Sequence, residues 1–363
     1  MSNRPRRSIP FDQWPDADRS LWLAIIAEGD LLDGRGPGTN WAPTSKNNAR
    51  KAYGYWLHWL KGTEGLGSPA HPLDRITPDR IKAYVEHLQQ RTASLTTFSY
   101  ILDLLRFVKP ANPSRDWSWL SRIRCRLWAR IKPARDKTPR IRPASDLLGL
   151  GLELMDEARN ARCRYNPAAS PQQFRDGLII ALLASRPVRL KNLTSIEIGR
   201  QLVRVDGLYW LRFEPCEVKN KKAIEVPLSQ ILSQCMDIYI DHYRPQLLGS
   251  AFSNRLWISR FGSNLTPQVI RYHIKNRTEA AFGKFLTPHL FRDCAATSIA
   301  IEDPVHVRMA ASILGHHRLS TTERFYNQAK MLEAVRSHQS VLSRMRRDFR
   351  SQSPKVHPRL ENS

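Results

Sequence analysis

Four residues near the end of this 363-residue chain have the types and spacing that action on a phosphodiester requires. His289 and Arg292 stand three positions apart, and His316 precedes Tyr326 by ten. An arginine binds two phosphate oxygens at once through its planar guanidinium group, and a histidine of near-neutral pKa can donate to the same oxygens or exchange protons. A tyrosine has a pKa of about 10 and attacks phosphorus only where cations favour its phenolate. The pattern indicates phosphoryl transfer without a metal.

The segments that carry these residues resemble the C-terminal motifs of the tyrosine recombinases of the phage integrase family. The family's His-x-x-Arg box resembles Leu286-Thr-Pro-His289-Leu-Phe-Arg292-Asp293, and its Leu-Gly-His box resembles Leu314-Gly315-His316. Its nucleophile is matched by Tyr326 at the end of Ser-Thr-Thr-Glu-Arg-Phe-Tyr. Any one of these residues alone is more often structural than functional, but their order and spacing together are improbable by chance.

The resemblance also implies an arginine that ends the helix before the sheet. Arg189 fits this position, with a polar Asn192 three residues later and an apolar Leu193 after it. Arg186 remains an alternative, because Ser185-Arg186-Pro187-Val188 stands where the family usually has Thr-Gly. The resemblance makes Arg189 and Arg292 a clamp on the non-bridging phosphate oxygens.

A lysine on the β-hairpin is the remaining cation that the resemblance implies. Its usual distance from a Val-Pro or Ile-Pro pair selects Lys219 before Val226-Pro227, with Lys221 and Lys222 as alternatives. Lys219 is the candidate acid that protonates the leaving 5′ hydroxyl. No cofactor and no metal ion are expected.

Two alternatives stay open close to the nucleophile. Family members more often place the tyrosine nine residues after the Leu-Gly-His histidine, where this chain has Phe325, so Tyr326 follows the longer spacing of members with a Thr-Thr-x-x-x-Tyr ending. His317 directly follows His316 and could take its role, although its position in the motif favours His316.

The overall charge favours a polyanionic partner. Lys and Arg number 57 against 33 Asp and Glu, which gives a formal net charge of +24. Duplex DNA is the expected partner, while an anionic membrane surface or a ribosome would satisfy the charge alone. The basic start lacks a following apolar run, so we expect no signal peptide, no membrane helix and a cytoplasmic location. The five scattered cysteines form no Cys-x-x-Cys pair, which argues against a zinc site or a disulfide framework.

The residue patterns predict a mainly α-helical fold with a small antiparallel β-sheet. Strands are expected at 196–205, 208–213 and 223–226, with Asp206-Gly207 as a hairpin turn and a possible short strand at 256–259. Helices are expected within 43–131, which has four helical patterns, and at 145–158, 171–184, 231–243, 267–282, 288–301, 305–314, 321–325 and 331–345.

The same patterns predict a division into domains. The Pro-, Gly- and Arg-rich residues 1–42 form an N-terminal arm, residues 43–131 a helical DNA-binding domain, and residues 132–143 a basic linker whose prolines prevent a continuous helix. Residues 144–350 form the catalytic domain and residues 351–363 a disordered tail. The resemblance matches the helical domain to the family's core-binding domain only in size, helicity and charge.

The resemblance further implies how such a protein acts. Four protomers on two specific recombination sites exchange strands through a Holliday junction, sometimes with accessory DNA-bending proteins, and the phosphotyrosine conserves the bond energy. Two other classes compete: a type IB-like topoisomerase, which shares the chemistry, and a non-catalytic DNA-binding protein with the same fold.

Overall fold

The structure is a computed structural model that describes residues 8–30, 34–67, 71–132, 136–161 and 166–302. Contacts between residues divide the chain into two compact units, residues 1–136 and 137–363. The predicted fold class is confirmed, because the described residues are mainly helical and include a three-stranded antiparallel sheet. No helix among these residues is both long and apolar enough to cross a bilayer.

The described part of the first unit is mainly helical. Its helices are α1 (Asp16–Ile26), α2 (Pro43–Thr63), α3 (Pro78–Arg91), α4 (Ser94–Ala111) and α5 (Ser118–Ala129). The four helices expected within 43–131 are therefore confirmed. Thr77 caps α3 by accepting a hydrogen bond from the backbone N–H of Arg80, and Pro78 takes the first helical position, where a missing N–H costs nothing.

Helix α1 packs into the core of the first unit. The rings of Trp22 and Tyr53 stack on Phe107 with centroid distances of 5.6 and 3.9 Å. Asp18 is fully buried, accepts a hydrogen bond from the Tyr53 hydroxyl at 2.6 Å, and pairs with the Arg75 guanidinium group at 2.6 Å. The described part of residues 1–42 thus shares one core with α2–α5.

Two closely packed helices form the centre of the second unit, α6 (Ala144–Asn160) and α7 (Ala169–Ser185). Helix α7 is buried along most of its length, as expected from its strongly apolar second half. Gly151 and Gly177 allow the close approach: a Cβ atom added at Gly177 would lie 2.6 Å from the Gly151 carbonyl oxygen. Helix α7 ends just before the segment that carries Arg189.

The sheet has the order β1 (Leu202–Val205), β2 (Leu208–Phe213), β3 (Ile224–Pro227), and both pairings are antiparallel. Asp206 and Gly207 both have positive φ, 49° and 80°, which is the two-residue turn that the sequence predicts.

The prediction of one strand over 196–205 is wrong in its first half. A turn at Gly199 separates Ile196 and Ile198 from β1, and their backbones bond instead to Leu256 and Asn254. The possible strand at 256–259 is only part of these isolated bridges.

The remaining described helices surround this centre. They are α8 (Leu190–Thr194), α9 (Gln230–Ile238), α10 (Arg244–Leu248), α11 (Pro267–Phe282) and α12 (Pro288–Glu302). A π-helical turn at Tyr239–Tyr243 joins α9 to α10, so the helix expected at 231–243 continues to Leu248. The helices expected at 305–314, 321–325 and 331–345, and the tail at 351–363, lie outside the described residues.

Candidate active site

Arg189 is positioned by the turn that follows α7. The buried helix ends at Ser185, and the buried Pro187 and Val188 fix the turn before Arg189 takes the N-cap position of α8. Leu193 on α8 is fully buried in the core of the second unit. Buried residues on both sides of Arg189 in the chain therefore fix its backbone, while its side chain remains partly exposed.

Helix α12 carries His289 and Arg292 on one face, because residues three apart are neighbours on a helix. Leu290 and Phe291 lie in the core and anchor this first turn. Arg292 is 8% exposed, and its guanidinium group donates a hydrogen bond to the carbonyl oxygen of Pro187 at 2.5 Å. This bond connects α12 directly to the turn before Arg189.

Arg189 and Arg292 act on one another electrostatically. Burial and then the nearby charge of Arg189 lower the pKa of Arg292 to about 10, while Asp293 opposes this shift. Two neighbouring cations, one of them desolvated, repel each other until an anion binds between or beside them. The arrangement fits the binding of a phosphate, whose negative charge relieves that repulsion.

His289 belongs to the same cluster. Its side chain is exposed to solvent, yet partial desolvation by its surroundings lowers its pKa below the ordinary value. Among the described residues, the charges of Lys137, Arg292 and Arg189 lower it further, and the charge of Asp293 raises it. A histidine that is neutral near pH 7 can donate one N–H to a phosphate oxygen and accept a proton at the other nitrogen.

Arg186, the alternative to Arg189, has different surroundings. Its guanidinium group donates to the carbonyl oxygens of Ser185 and Pro227, at 3.1 and 3.4 Å, and its Nε is buried without a partner. The charge that shifts the pKa values of His289 and Arg292 is that of Arg189, not of Arg186. The structure thus brings together three of the six candidates: Arg189, His289 and Arg292.

Lys219 lies in a tight turn between β2 and β3. The backbone N–H of Lys221 bonds to the carbonyl oxygen of Val218 at 2.9 Å, and Lys221 has a positive φ of 52°. The Asn192 side chain donates to the Glu217 carbonyl oxygen at 3.4 Å, which attaches this loop to α8. Lys219 itself is exposed. The alternatives Lys221 and Lys222 are exposed as well.

The remaining candidates lie outside the described residues. His316 and Tyr326, together with their alternatives His317 and Phe325, fall within the undescribed residues 303–363.

The sequence did not identify Lys137 and Asp293 as a pair. The Lys137 ammonium group lies 3.0 Å from a carboxylate oxygen of Asp293, the residue directly after Arg292. In the sequence, Asp293 stood out only as part of the His-x-x-Arg segment, and Lys137 was only one of several cations in the predicted linker. The signal in the sequence is the acidic Asp293 directly after the predicted phosphate-binding Arg292. An acid at that position suggests that a nearby cation pairs with it.

A buried ion network supports α7 behind the site. Asp176 is 2% exposed and pairs with Arg175, His273 and Arg277, the last two from α11. Burial alone raises the pKa of Asp176, but the hydrogen bond from His273 and the charge of Arg175 outweigh it and lower the pKa. The sequence patterns did not predict this network. Its local signal was the charged pair Arg175-Asp176 within an otherwise largely apolar helix.

Metal chemistry has no evident site in this part of the chain. The described residues contain no group of three or more His, Cys, Asp or Glu side chains arranged to hold an ion. The cations that face the candidate site are those of arginine and lysine.

The site and the fold agree with the similarities to known proteins. The sequence model of the phage integrase family matches residues 153–333. The chain is 31% identical over 158 residues to a tyrosine recombinase XerD of Staphylococcus saprophyticus subsp. saprophyticus, and 32% identical over 158 residues to one of Staphylococcus haemolyticus. Each match covers 43% of this chain and 51% of the relative, so the chain spans about half the length of the curated relatives it matches. The chain belongs to the phage integrase family of tyrosine recombinases.

Solved structures extend the likeness to most of the fold. A XerH site-specific recombinase bound to its palindromic difH substrate, in a post-cleavage complex, matches with a TM-score of 0.56 at 15% identity. A pre-cleavage complex of XerH with difH matches with a TM-score of 0.53 at the same identity. Each match covers 82% of this chain and 80% of the other. At this identity the likeness supports the fold, and the chemistry must be argued from the residues.

Proposed function

We propose that this protein is a site-specific DNA recombinase or integrase that cleaves and rejoins duplex DNA through a 3′-phosphotyrosine at Tyr326. The observation that carries the proposal is the adjacency of Arg189, Arg292 and His289. Within the described residues this cluster gathers positive charge and hydrogen-bond donors where the family motifs place the scissile phosphate.

The reaction needs one nucleophile, one acid and a set of fixed cations. The Tyr326 oxygen attacks phosphorus, and the bond to the 5′ oxygen breaks. Lys219 gives its proton to that oxygen, which leaves as a 5′ hydroxyl. Arg189 and Arg292 bind the non-bridging oxygens as charge accumulates on them in the transition state, and His289 and His316 donate to the same oxygens. Attack by another 5′ hydroxyl reverses the steps and rejoins a strand, so no external energy source is needed.

DNA binding is assigned to both units. In the first, the exposed Arg122 and Arg126 of α5, and the exposed Arg130 that follows the helix, supply contacts to backbone phosphates. In the second, the cations around the clamp bind the phosphates at the cleavage point. By family, four protomers assemble on two sites and exchange strands through a Holliday junction, with accessory DNA-bending proteins as further partners. The proposed place of action is the cytoplasm, where the DNA is.

A covalent-adduct experiment tests the proposal. Duplexes tiled across the DNA that flanks the gene, each nicked so that the cleaved end diffuses away, are incubated with the protein and resolved under denaturing conditions. The wild-type protein should become attached to a subset of duplexes, and Tyr326→Phe to none. Tyr243→Phe, which changes a partly buried tyrosine stacked on Phe174, is the matched control and should react normally.

Three outcomes would count against the proposal in different ways. Adduct formation by Tyr326→Phe would show that another residue is the nucleophile. Absence of any wild-type adduct, with DNA binding intact, would favour a non-catalytic DNA-binding protein. Equal reaction with every duplex, together with relaxation of supercoiled DNA, would favour a topoisomerase.

A further inference from the structure

The first residues of the second unit are attached to α12 at three points. The Lys137 ammonium group pairs with Asp293 at 3.0 Å, the Arg142 backbone N–H donates to the Cys294 sulfur at 3.4 Å, and the Ala144 N–H donates to the Ser298 hydroxyl at 2.8 Å. The segment 137–144 therefore has a fixed position along the helix that carries His289 and Arg292. A linker that served only to connect two units would need none of these contacts.

Two further cations of this segment lie over aromatic rings. The Arg140 guanidinium group lies over the Phe285 ring at 5.2 Å, and that of Arg142 lies over Phe282 at 5.6 Å. Lys275 of α11 also lies over the Phe285 ring, at 4.9 Å, and pairs with Glu279 at 4.0 Å. An aromatic face attracts a cation through its quadrupole and leaves the positive charge available to an anion. The attached segment thus forms a cationic edge beside the candidate active site.

Lys137 is the member of this edge whose charge acts on His289. Asp293 follows Arg292 directly, and the charge of Lys137 contributes to the lowered pKa of His289. The Asp293 side chain is 13% exposed, whereas that of Lys137 is 54% exposed. Asp293 is therefore largely covered where it holds Lys137, while much of the ammonium-bearing side chain faces solvent.

The presence of the Asp293 carboxylate beside a cluster that attracts phosphate requires an explanation. Asp293 opposes the positive field that attracts phosphate, and an ion pair with an exposed lysine adds little to stability. Asp293 weakens the attraction for an anion, but this is offset if it holds the Lys137 ammonium group in one place. Without Asp293 that group would move freely at the end of a flexible four-carbon side chain.

We propose that Lys137 contacts the DNA phosphate next to the scissile phosphate, and that Asp293 is a positioning residue that holds Lys137 in place for this contact. The inference rests on the proposed function. The pair would fix the position of the cleaved strand relative to Arg292, so that the phosphorus lies in line with the attacking oxygen.

Two measurements distinguish the roles of the two residues. The first is the affinity for a cleavable duplex as a function of salt, and the second is the rate of covalent-adduct formation at saturating protein. Lys137→Ala should reduce the slope of log affinity against log salt by about 0.9, the value for one lost phosphate contact. It should also slow adduct formation on the order of 10-fold to 100-fold, as expected for a misplaced reacting group.

Asp293→Asn should behave differently, because the lysine remains but is no longer held. The salt slope should stay at the wild-type value, while adduct formation slows about 10-fold. Lys137→Arg should retain most of the activity, since a cation of similar reach remains. Arg204→Ala is the matched control: Arg204 pairs with Asp237 at 2.9 Å in the same unit and is 55% exposed, so both measurements should match wild type.

A charge exchange decides whether the pair is merely structural. The double variant Lys137→Asp with Asp293→Lys keeps an ion pair between the segment and α12 but moves the cation onto the helix. If the pair only attaches the segment, activity should return to the wild-type level; if Lys137 contacts DNA, the double variant should stay as slow as Lys137→Ala.

The inference is overturned by restored activity in the double variant, by an unchanged salt slope in Lys137→Ala, or by wild-type cleavage in Asp293→Asn. Thermal unfolding of each variant identifies a folding defect, and Lys137→Arg then serves as the folded comparison. A failure of the proposed function looks different, because the wild-type protein itself would form no adduct.

Discussion

Arg292 donates a hydrogen bond to the carbonyl oxygen of Pro187 at 2.5 Å, and this bond joins two segments that are 105 residues apart in the chain. Pro187 stands two positions before Arg189, so the contact brings Arg292 to the turn that carries Arg189. One N–H group of the Arg292 guanidinium makes this bond and so attaches α12 to the turn before Arg189.

Removal of Arg292 should separate binding from cleavage. Arg292→Ala should keep most of the affinity for duplex DNA, because many other cations contribute, but should lose about 10²-fold to 10³-fold in the rate of adduct formation. Arg292→Lys should recover little of this loss, since an ammonium group cannot bind two oxygens in one plane. Gel-shift assays measure the DNA affinity and adduct assays on the same duplex measure the cleavage rate. Full cleavage by Arg292→Ala would show that Arg292 is not part of the active site.

The two candidate arginines after α7 should give different results. Arg189→Ala should reduce adduct formation by about 10²-fold or more with little change in stability, because the side chain is partly exposed and its charge acts on Arg292. Arg186→Ala should chiefly affect stability, since its partners are the carbonyl oxygens of Ser185 and Pro227. Cleavage rates and thermal unfolding of both variants provide the test. The opposite result would assign the clamp to Arg186.

The titration of His289 follows from its neighbours. In the absence of DNA its pKa should lie below the ordinary value of about 6.5, and Asp293→Asn should lower it further because the negative charge of Asp293, which raises it, is removed. Lys137→Ala should raise it. Imidazole carbon chemical shifts followed by NMR against pH measure all three, and a midpoint above 6.5 in the wild type would contradict the structure.

The same shift has a consequence for stability. A histidine whose pKa is lowered in the folded protein binds fewer protons than it does in the unfolded chain. Its contribution is therefore fully present above the unfolded pKa of about 6.5 and is lost as the pH falls from there through the folded pKa. His289→Gln should reduce the loss of stability in that acidic range, as measured by urea unfolding at several pH values.

The buried Asp18–Arg75 pair should be important for the stability of the first unit. Asp18→Ala leaves the 5% exposed Arg75 without its charged partner, and a broken buried pair typically costs about 3–5 kcal/mol. Asp16→Ala is the matched control in the same helix, because Asp16 is 89% exposed and pairs with Arg19 at the surface. That change should cost no more than about 1 kcal/mol. Urea unfolding followed by tryptophan fluorescence, which arises mainly from the first unit, measures both.

The sequence predicted most of the local structure correctly. Helices and turns depend on nearby residues, such as Thr77-Pro78 at the start of α3 and Asp206-Gly207 in the hairpin, so their patterns can be read directly from the chain. The strand at 196–205 was placed too long because the competing bonds of Ile196 and Ile198 go to a segment more than fifty residues away. No local pattern contains that information.

The sequence by itself determined which residues could do the chemistry, because His289, Arg292, Tyr326 and their neighbours are defined by type, order and spacing. Only the tertiary structure placed Arg189 rather than Arg186 beside Arg292. It alone paired Lys137 with Asp293 across 156 residues and Asp18 with Arg75 across 57. The physical reason is that charge interactions and hydrogen bonds act over a few ångströms in space, and distance along the chain does not predict which groups will meet.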